Sequence, residues 1–405
     1  MNKKLGLAVA GAVMAFGASA ANAGIIIPAG DWTIDIGGNV NTYYTNTRFS
    51  GDVFDGVARK NQVSTGLLPS ALGIGGKTRQ NDLDIAFQFT FFVGANADSG
   101  FGTTGSANEN FQSRSGDGNS INIRQAYLTF GDASWGTIKA GRDLGLFGSD
   151  AILSDMTLLG VGVGAGGPGN STLGRIGSGY VYADWIGQIQ YASPNWNGFS
   201  FAVAAREGLR NTLVTTATAD DKTELGFDGK ISYEWTGDVS GKVWAGYITQ
   251  KHNNSVTGDY RSRGYDLGGK INVADFGLVG YYYDGKGLDV QTGGQLGGLQ
   301  FLSGNKSDDK GGYVQATYKL PTVGTKLGVS YGISKSDNRG IGNNLNAAVD
   351  ETENKSWIVG AYHPLTKSLN LVAEYAHQKL ENDLVGGGSA DGKAKTISLG
   401  AILFF

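Results

Sequence analysis

The sequence contains no cysteine, only six prolines among 405 residues, and few charged side chains. Without cysteine the chain can form no disulfide, thiol nucleophile or thiolate metal site. Charged residues make up 17% of it, against about 25% in average soluble domains. Beyond the first 23 positions there is no apolar run of about 18 residues, which excludes a membrane protein built from transmembrane helices.

Glycine and aromatic residues are abundant instead. There are 67 glycines, without the Gly-X-Y period of collagen, and aromatic residues make up 11% of the chain. This aromatic content supports an ordered structure rather than a low-complexity chain. The sequence is therefore that of a folded protein with many close backbone contacts or pliant connections.

The N-terminus predicts export. Lys3 and Lys4 precede an apolar stretch over 5–18, and Ala21-Asn22-Ala23 forms a small-residue cleavage site. We expect residues 1–23 to be a cleaved signal peptide and residues 24–405 to form a single domain. Cleavage would leave 31 basic and 36 acidic residues, a net charge of −5, which argues against a nucleic-acid partner.

Apolar and polar residues alternate along most of the mature chain, which predicts β-strands with one apolar and one polar face. Tilted strands of about 9–11 residues can cross a bilayer, and a closed barrel leaves no unpaired backbone edge in lipid. A large soluble β-sandwich is the alternative, but its strands are usually only about five or six residues long. Clear examples of the apolar face are Leu83, Ile85, Phe87, Phe89 and Phe91, and later Ile397, Leu399, Leu403 and Phe405.

The alternation predicts sixteen strands, an even number as bacterial barrels require. Short and long connections alternate between them, as periplasmic turns and extracellular loops do. The fold expected is an all-β, transmembrane antiparallel barrel with a water-filled lumen. We place its strands near 31–45, 67–79, 83–94, 120–130, 136–142, 179–191, 198–206, 223–235, 240–251, 261–272, 276–284, 310–320, 325–335, 355–363, 368–379 and 394–405.

Three places resemble the general porins of Gram-negative outer membranes. Residues 123–128 (Ile-Arg-Gln-Ala-Tyr-Leu) and 135–142 (Trp-Gly-Thr-Ile-Lys-Ala-Gly-Arg) are similar to the fourth and fifth strands of that family. The segment 143–178 stands where the third loop of the family folds into the lumen, and the chain ends in Phe404-Phe405. The resemblance implies an outer-membrane homotrimer for passive diffusion of ions and small hydrophilic solutes. It also implies contact with outer-membrane lipids and lipopolysaccharide, and makes Phe405 a signal to the barrel assembly machinery.

The resemblance also suggests where the pore narrows. Family members place acidic residues on the third loop and basic residues on the facing wall, and this field sets charge selectivity. By position, Asp155 matches a loop acid, while Asp143 and Asp150 are further acidic candidates. Arg124, on the fourth strand, and Arg175, entering the sixth, match wall arginines. Arg142 is the expected substitute for a third basic position, near Ala71.

The remaining charges on the polar faces are nearly balanced and slightly acidic, so we expect weak selectivity that leans towards cations. Small or polar residues on the outward faces of the first and last strands favour contact between subunits. They are Gly38, Thr42, Gln125, Thr129 and Ala401.

The sequence suggests three alternative functions. A sugar-specific channel would use inward aromatic residues, for which the candidates are Tyr180, Tyr182, Tyr281, Tyr283 and Tyr313. A surface adhesin or structural barrel would require segment 143–178 to plug the lumen. An enzyme is not expected, because none of the three histidines lies near a Gly-x-Ser-x-Gly motif. No cofactor is expected either, apart from weak calcium binding by loop carboxylates such as Asp308 and Asp309.

Overall fold

The computed structural model describes residues 24–54, 58–95, 121–164, 171–208, 222–253, 259–288, 307–337 and 349–405. The expected signal peptide, 1–23, lies outside the described residues, and so does most of the predicted loop at 95–119. Among the described residues, no helix has the length and apolar character needed to cross a membrane.

Within the described ranges, nineteen strands form one antiparallel sheet. They are β1 (Ile25–Ala29), β2 (Trp32–Ser50), β3 (Arg59–Ser64), β4 (Ser70–Gln80), β5 (Leu83–Val93), β6 (Asn122–Asp132), β7 (Gly136–Leu144), β8 (Trp185–Ala192), β9 (Phe199–Arg206), β10 (Lys222–Thr223), β11 (Gly226–Trp235), β12 (Val239–Asn253), β13 (Tyr260–Val273), β14 (Phe276–Lys286), β15 (Asp308–Lys319), β16 (Lys326–Asp337), β17 (Val349–Pro364), β18 (Leu369–Leu384) and β19 (Ser389–Phe404).

The sheet closes into a barrel of sixteen strands, as the sequence predicted. β19 pairs with β2, which joins the two ends of the sheet. β3 and β4 pair with successive parts of β2 and make one interrupted strand, and β10 and β11 do the same along β12. β1 pairs with the first residues of β2 and is an extra hairpin strand rather than a wall strand. Closure pairs the backbone groups along every strand edge, which is what a barrel in lipid requires.

The large apolar side chains of the barrel point outwards. Ile189, Leu267 and Val314 are each more than 60% exposed. The alternate residues of the same strands are buried or face the interior, as shown by Gln188, Asp266 and Gln315. Soluble proteins bury apolar side chains and expose polar ones, whereas this barrel does the reverse. The arrangement fits a wall whose outside contacts acyl chains and whose inside contacts water.

Three connections differ from the sequence prediction. The predicted loop 46–66 contains the end of β2 and the whole of β3. The predicted strand 179–191 begins only at Trp185, so Tyr180 and Tyr182 belong to the preceding connection. The predicted loop 380–393 is mostly strand, because β18 continues to Leu384 and β19 begins at Ser389. There the outward residues change from apolar to charged. The alternation that predicts a strand therefore ends, although the backbone pairing continues.

The connection between β7 and β8, residues 145–184, is here called the inner loop. Its described residues include a short helix, α1 (Ser149–Ser154), and a 3-10 helix, Met156–Leu159. A second 3-10 helix, Asp52–Phe54, follows β2. The inner loop packs on the inward face of the wall and supplies fully buried side chains such as Phe147, Tyr180 and Val181. The apolar core therefore lies inside the barrel, where the inner loop meets the wall.

Candidate pore constriction

Helix α1 places Asp150 beside two lysines on β11 and β12, which follow β8 and β9 around the wall. Its carboxylate lies 2.7 Å from Lys230 Nζ on β11 and 2.5 Å from Lys242 Nζ on β12. Burial alone would raise the pKa of Asp150, but the two ammonium groups outweigh it and hold the pKa well below its usual range. The lysine side chains keep about a fifth of their surface accessible, at 20% and 18%.

Backbone hydrogen bonds fix α1 against the next strands of the wall. The Gly148 amide donates to Asp266 Oδ2 on β13 over 3.0 Å, and Tyr313 on β15 donates its hydroxyl to the Ala151 carbonyl over 2.8 Å. Gln315 Nε2 donates to the Ser154 carbonyl over 3.0 Å. The helix is thus held across a wall that runs from β11 to β15.

Asp155 is bonded within the inner loop. It is only 4% exposed. Its carboxylate accepts from the Tyr180 hydroxyl over 2.8 Å and from the Thr157 amide, at the start of the 3-10 helix, over 2.9 Å. The position that matches the loop acid of the family is therefore occupied by a carboxylate that stabilises the loop itself.

The tip of the inner loop is attached to Glu374 on β18. Glu374 Oε2 accepts from the Val161 amide over 2.8 Å and from the Gly162 amide over 2.7 Å. A Cβ on Gly160 would lie 2.1 Å from Glu374 Oε1, so this approach requires glycine. The run of glycines at the tip thus permits close contact between the loop backbone and a wall carboxylate.

Arg175 lies on the returning part of the inner loop, not at the start of a strand as expected. It is fully buried, and its guanidinium donates to Ser356 Oγ over 3.1 Å and to Ser330 Oγ. Asn354 Nδ2 donates to the Gly177 carbonyl nearby over 2.6 Å. Arg175 therefore fastens the loop to β16 and β17.

A β-bulge explains the position of Arg124. Thr90 pairs with Gln125 and Phe91 pairs with Ile123, so Arg124 is the extra residue on β6. Arg124 and Gln125 are consecutive, yet both are buried, and the Arg124 guanidinium carbon lies 4.9 Å from the centre of the Phe92 ring. Beyond the bulge, the residues that face inwards and those that face outwards exchange places.

This phase change corrects two predictions on β6. Tyr127, three residues beyond Arg124, is buried inside the barrel. Gln125 and Thr129, expected to face a neighbouring subunit, are also buried, and Gln125 donates to Asp143 Oδ1 over 2.9 Å. A single residue inserted into a strand moves every later side chain to the other face.

The other two candidates lie on β7. Asp143 is 3% exposed and forms an ion pair of 2.5 Å with Lys139. Arg142 is half-buried and pairs with Ala126 and Gly187 on the neighbouring strands. Arg142 is therefore less buried than Asp143.

Asp184 ends the inner loop in a left-handed conformation, with φ of 56°. Its Oδ1 accepts from the Trp185 amide over 2.7 Å. Burial raises the pKa of Asp184 to about 6, against the opposing effects of that hydrogen bond and of Arg142 and Arg124. This buried aspartate was one of many polar-face charges in the sequence, and nothing in the pattern distinguished it.

The aromatic residues considered for sugar stacking are not accessible. Tyr180 and Tyr283 are fully buried, and Tyr281, Tyr182 and Tyr313 are at most 5% exposed. Tyr180 and Tyr313 pack edge to face, with ring centres 5.8 Å apart, between the inner loop and β15. These side chains hold the loop and do not offer a stacking surface to a solute.

The carboxylates considered for calcium are engaged with protein groups. Asp309 accepts from the Leu288 amide over 2.7 Å and from Ser336 Oγ over 2.7 Å, while Asp308 pairs with Lys286. Within the part of the chain that the structure describes, no group of three or more His, Asp or Glu side chains is placed to hold a metal ion.

The three histidines are placed apart from one another. His252 stacks on Tyr260 with ring centres 4.5 Å apart, and His363 bonds to Thr325 Oγ1 over 2.9 Å. His377 packs against Trp357, 5.8 Å between ring centres.

At the end of the chain, Phe405 completes the pairing of the last strand. Its amide donates to the Gly38 carbonyl over 3.1 Å, and its carbonyl accepts from the Gly38 amide over 2.9 Å. The side chain is 38% exposed, in phase with the outward residues Leu403 and Leu399. Its position fits a side chain on the lipid face.

Comparison with known proteins identifies the family and the fold. A sequence model of the Gram-negative porin family matches residues 8–383. No curated protein matches the chain.

Several solved structures share the fold of the whole chain. The outer membrane channel DcaP of Acinetobacter baumannii is 16% identical with a TM-score of 0.63, over 93% of this chain and 99% of that one. An anion-selective porin from Comamonas acidovorans is 16% identical with a TM-score of 0.60, over 92% of this chain and 100% of that one. OmpF of Salmonella typhi, in complex with daunomycin, is 19% identical with a TM-score of 0.59, over 94% and 100%.

Proposed function

This chain belongs to the Gram-negative porin family, and we propose that its channel narrows where α1 of the inner loop meets Lys230 and Lys242. The protein is an outer-membrane channel for small solutes. The observation that carries the proposal is the ion pair between Asp150 and these two lysines, which joins the loop to the inward face of β11 and β12 at 2.7 and 2.5 Å. Solutes would pass between the inner loop and the remaining wall by passive diffusion.

The selectivity we propose is weak and leans towards anions, which differs from our expectation from sequence. Asp143, Asp150 and Asp155 are between 3% and 8% exposed and bonded to protein donors, so they present little charge to water. Lys230 and Lys242 remain partly accessible and outnumber the single carboxylate they share. Arg124 and Arg175 contribute to packing in this proposal, and Arg142 contributes a half-buried charge.

Several further features belong to the same proposal. Residues 1–23 would be removed on export, residues 24–405 would form one domain, and the chain would act without enzymatic activity or cofactor. A homotrimer is supported by the family, and by Gly38, Thr42 and Ala401 on the first and last strands. Phe405 would guide barrel assembly. A sugar-specific channel is not favoured, because the five candidate tyrosines are buried. A surface adhesin, which would need a plugged lumen, is tested by whether the barrel conducts.

Single-channel recording in a planar bilayer tests the channel, and Arg175→Met tests the inner loop. The wild-type protein should open in discrete steps and give a small reversal potential of anion sign in a salt gradient. Arg175→Met removes the donor to Ser330 and Ser356, so the loop should loosen, and conductance and current noise should rise. The buried hydrogen bonds lost amount to about 2–3 kcal/mol of stability.

The matched control is Arg261→Met, which removes an exposed arginine from the outward face of β13. Its conductance should equal that of the wild type. Equal conductance in Arg175→Met and wild type would contradict a loop-defined constriction. A strongly cation-selective wild type would contradict the proposed role of the lysines.

A further inference from the structure

A cavity of about 190 Å³ lies on the inner face of the barrel wall, between β2, β4, β5 and β6. It is here called the wall cavity, and Asp35, Gly75, Lys77, Phe92 and Tyr127 are among its lining residues. We propose that it binds a small solute with an ammonium group, a carboxylate and an apolar side group, which is the chemistry of an α-amino acid such as phenylalanine. The inference rests on the proposed channel, since the solute would reach the wall cavity through the lumen.

Inward glycines make the wall concave at this place. Gly37 on β2 is paired with Gly73 on β4, and Gly75 is the next inward residue of β4. The adjacent Leu72 is 41% exposed on the outer surface, so the glycines face the lumen. A Cβ on Gly75 would lie 2.4 Å from Gln88 Oε1, which borders the glycines. Three neighbouring inward positions therefore carry no side chain, and the space stays open.

Hydrogen bonds hold the polar edge of the wall cavity in place. Gln88 Nε2 donates to Thr90 Oγ1 over 3.0 Å, and Thr90 Oγ1 donates to Gln125 Oε1 over 2.7 Å. Gln125 in turn donates to Asp143 Oδ1 over 2.9 Å. Because these side chains are already ordered, a solute that binds beside them loses little affinity to side-chain ordering.

Aromatic rings form the apolar side of the wall cavity. Phe92 on β5, Tyr127 on β6 and Phe404 at the end of β19 line it, together with Leu68. These side chains are at most 9% exposed, so packing against the protein fixes their positions. An apolar cavity of roughly 150 Å³ is large enough to hold benzene. At about 190 Å³, the wall cavity has room for a phenyl ring.

Two opposite charges at the wall cavity have no ionic partner. Asp35 is opposite Gly75 and Lys77 is opposite Thr33, so the two charged residues are diagonal neighbours on β2 and β4. Diagonal neighbours are about 7–8 Å apart. Within the described ranges neither side chain forms an ion pair, and Lys77 is exposed while Asp35 is partly exposed. The spacing leaves room between them for the two charges of one solute.

An α-amino acid satisfies both charges and the apolar space at once. Its ammonium group would donate to Asp35 and its carboxylate would accept from Lys77, both in charge-assisted hydrogen bonds. An apolar side group on the same carbon would enter the space beside Phe92 and Tyr127. A neutral sugar would leave both charges unpaired, and a simple anion would pair with Lys77 alone.

The wall cavity lies beneath the inner loop, on its periplasmic side. Leu68 lines the cavity, and the amide of its neighbour Leu67 donates to the Gly160 carbonyl of the inner loop over 2.9 Å. From there β4 runs to the short turn at Asn81-Asp82. Short turns are periplasmic in outer-membrane barrels. A solute that has passed the constriction would therefore meet this site next.

Calorimetric titration of the purified full chain in detergent at pH 7 tests the inference. L-phenylalanine is the probe. The comparison ligands are 3-phenylpropionate, which lacks the ammonium group, and 2-phenylethylamine, which lacks the carboxylate. Wild type should bind L-phenylalanine about tenfold more tightly than either, because each comparison ligand leaves one charge of the site unpaired. Glycine, which lacks the ring, should also bind about tenfold more weakly.

Single substitutions assign the two charges. Asp35→Asn should lose the preference for L-phenylalanine over 3-phenylpropionate, and Lys77→Gln should lose the preference over 2-phenylethylamine. The matched controls are Glu234→Gln on β11 and Lys270→Gln on β13, which remove inward charges on the other side of the barrel. Their affinity for L-phenylalanine should stay within about twofold of wild type. All four variants should open in discrete steps in a planar bilayer, which shows that they fold.

Equal affinity of wild type for L-phenylalanine and both comparison ligands would overturn the inference, because it would show that Asp35 and Lys77 do not recognise the two charges. An equal loss of affinity in Glu234→Gln or Lys270→Gln would also overturn it, by placing the solute elsewhere in the lumen. Discrete channel opening without phenylalanine binding would contradict this inference alone. Phenylalanine binding without channel opening would support the site and contradict the proposed channel.

Discussion

Asp150 and Asp184 lie on the same inner loop and are buried to a similar degree, at 8% and 4% exposed, but their carboxyl groups behave in opposite ways. The pKa of Asp150 lies well below its usual range, because Lys230 and Lys242 overcome the effect of burial. The pKa of Asp184 rises to about 6 through burial, although Arg142, Arg124 and Arg206 are near enough to oppose the rise.

The difference between the two aspartates shows that nearby cations offset burial to very different extents. Asp150 has two ammonium groups within 2.7 Å, and they outweigh the effect of burial on its pKa. The Trp185 amide donates to Asp184 over 2.7 Å. That hydrogen bond and the charges of Arg142, Arg124 and Arg206 do not fully offset the removal of the Asp184 carboxylate from water.

Removing both lysines should give Asp150 a raised pKa like that of Asp184. This change should have the largest effect on stability. In Lys230→Met/Lys242→Met the carboxylate is buried without its partners, and the free energy of unfolding at pH 7 should fall by about 3–4 kcal/mol. Urea unfolding in detergent, followed by tryptophan fluorescence, measures this. The loss should shrink at pH 4, where the unpaired carboxyl can take up a proton. A loss that does not depend on pH would mean that the lysines act only through packing.

Replacing Asp184 should remove a pH dependence of stability. Its folded pKa of about 6 lies above the ordinary value of 3.8, so the folded state binds a proton more tightly than the unfolded state does. This contribution to stability is present below about pH 4 and is lost as the pH rises through 6. Asp184→Asn keeps an oxygen for the Trp185 amide, and it should stabilise the barrel at pH 8 by about 1–3 kcal/mol.

Urea midpoints of wild type and Asp184→Asn at pH 4 and pH 8 provide the measurement. The two proteins should coincide at pH 4 and separate at pH 8. Asp308→Asn serves as control, because Asp308 is exposed at the end of β15, and its effect should be small at both values. Equal stability of Asp184→Asn and wild type at pH 8 would show that the Asp184 carboxylate is not penalised by burial.

The smallest effect on stability is expected for Asp150→Asn. Lys230 and Lys242 can reorient towards lumen water, so the cost should be about 1 kcal/mol. The channel should nevertheless become more anion-selective, since two partly accessible lysines lose the carboxylate they share. Reversal potential in a tenfold gradient of KCl measures the change. An unchanged reversal potential would place Asp150 outside the path of the ions.

Much of the barrel could be predicted from residue patterns alone. Alternation identified strands such as Leu83–Val93 and Phe276–Lys286 with nearly correct ends, because outward positions must be apolar where they contact lipid. The prediction was wrong where that rule stops applying. The ends of β18 and β19 project beyond the apolar band, so charged residues replace apolar ones although the strands continue to pair.

The candidate constriction was predicted less well. Position in the chain identified Asp150 as a loop acid, but not its partners, because Lys230 and Lys242 are distant in sequence and resemble other polar-face residues. Arg175 carried the expected charge in an unexpected place, fully buried against Ser330 and Ser356. The bulge at Arg124 left no signal in the alternation that distinguished it from a regular strand.

The sequence by itself determined that this chain is a closed, lipid-facing barrel of sixteen strands, because period-two alternation is a local property that each strand carries alone. Only the tertiary structure decided which charges are neutralised, which tyrosines are buried and which inward residues line one cavity. Those outcomes depend on strand register, on one bulge and on the path of the inner loop. Each of these brings together residues that are far apart in the chain and that no local pattern connects.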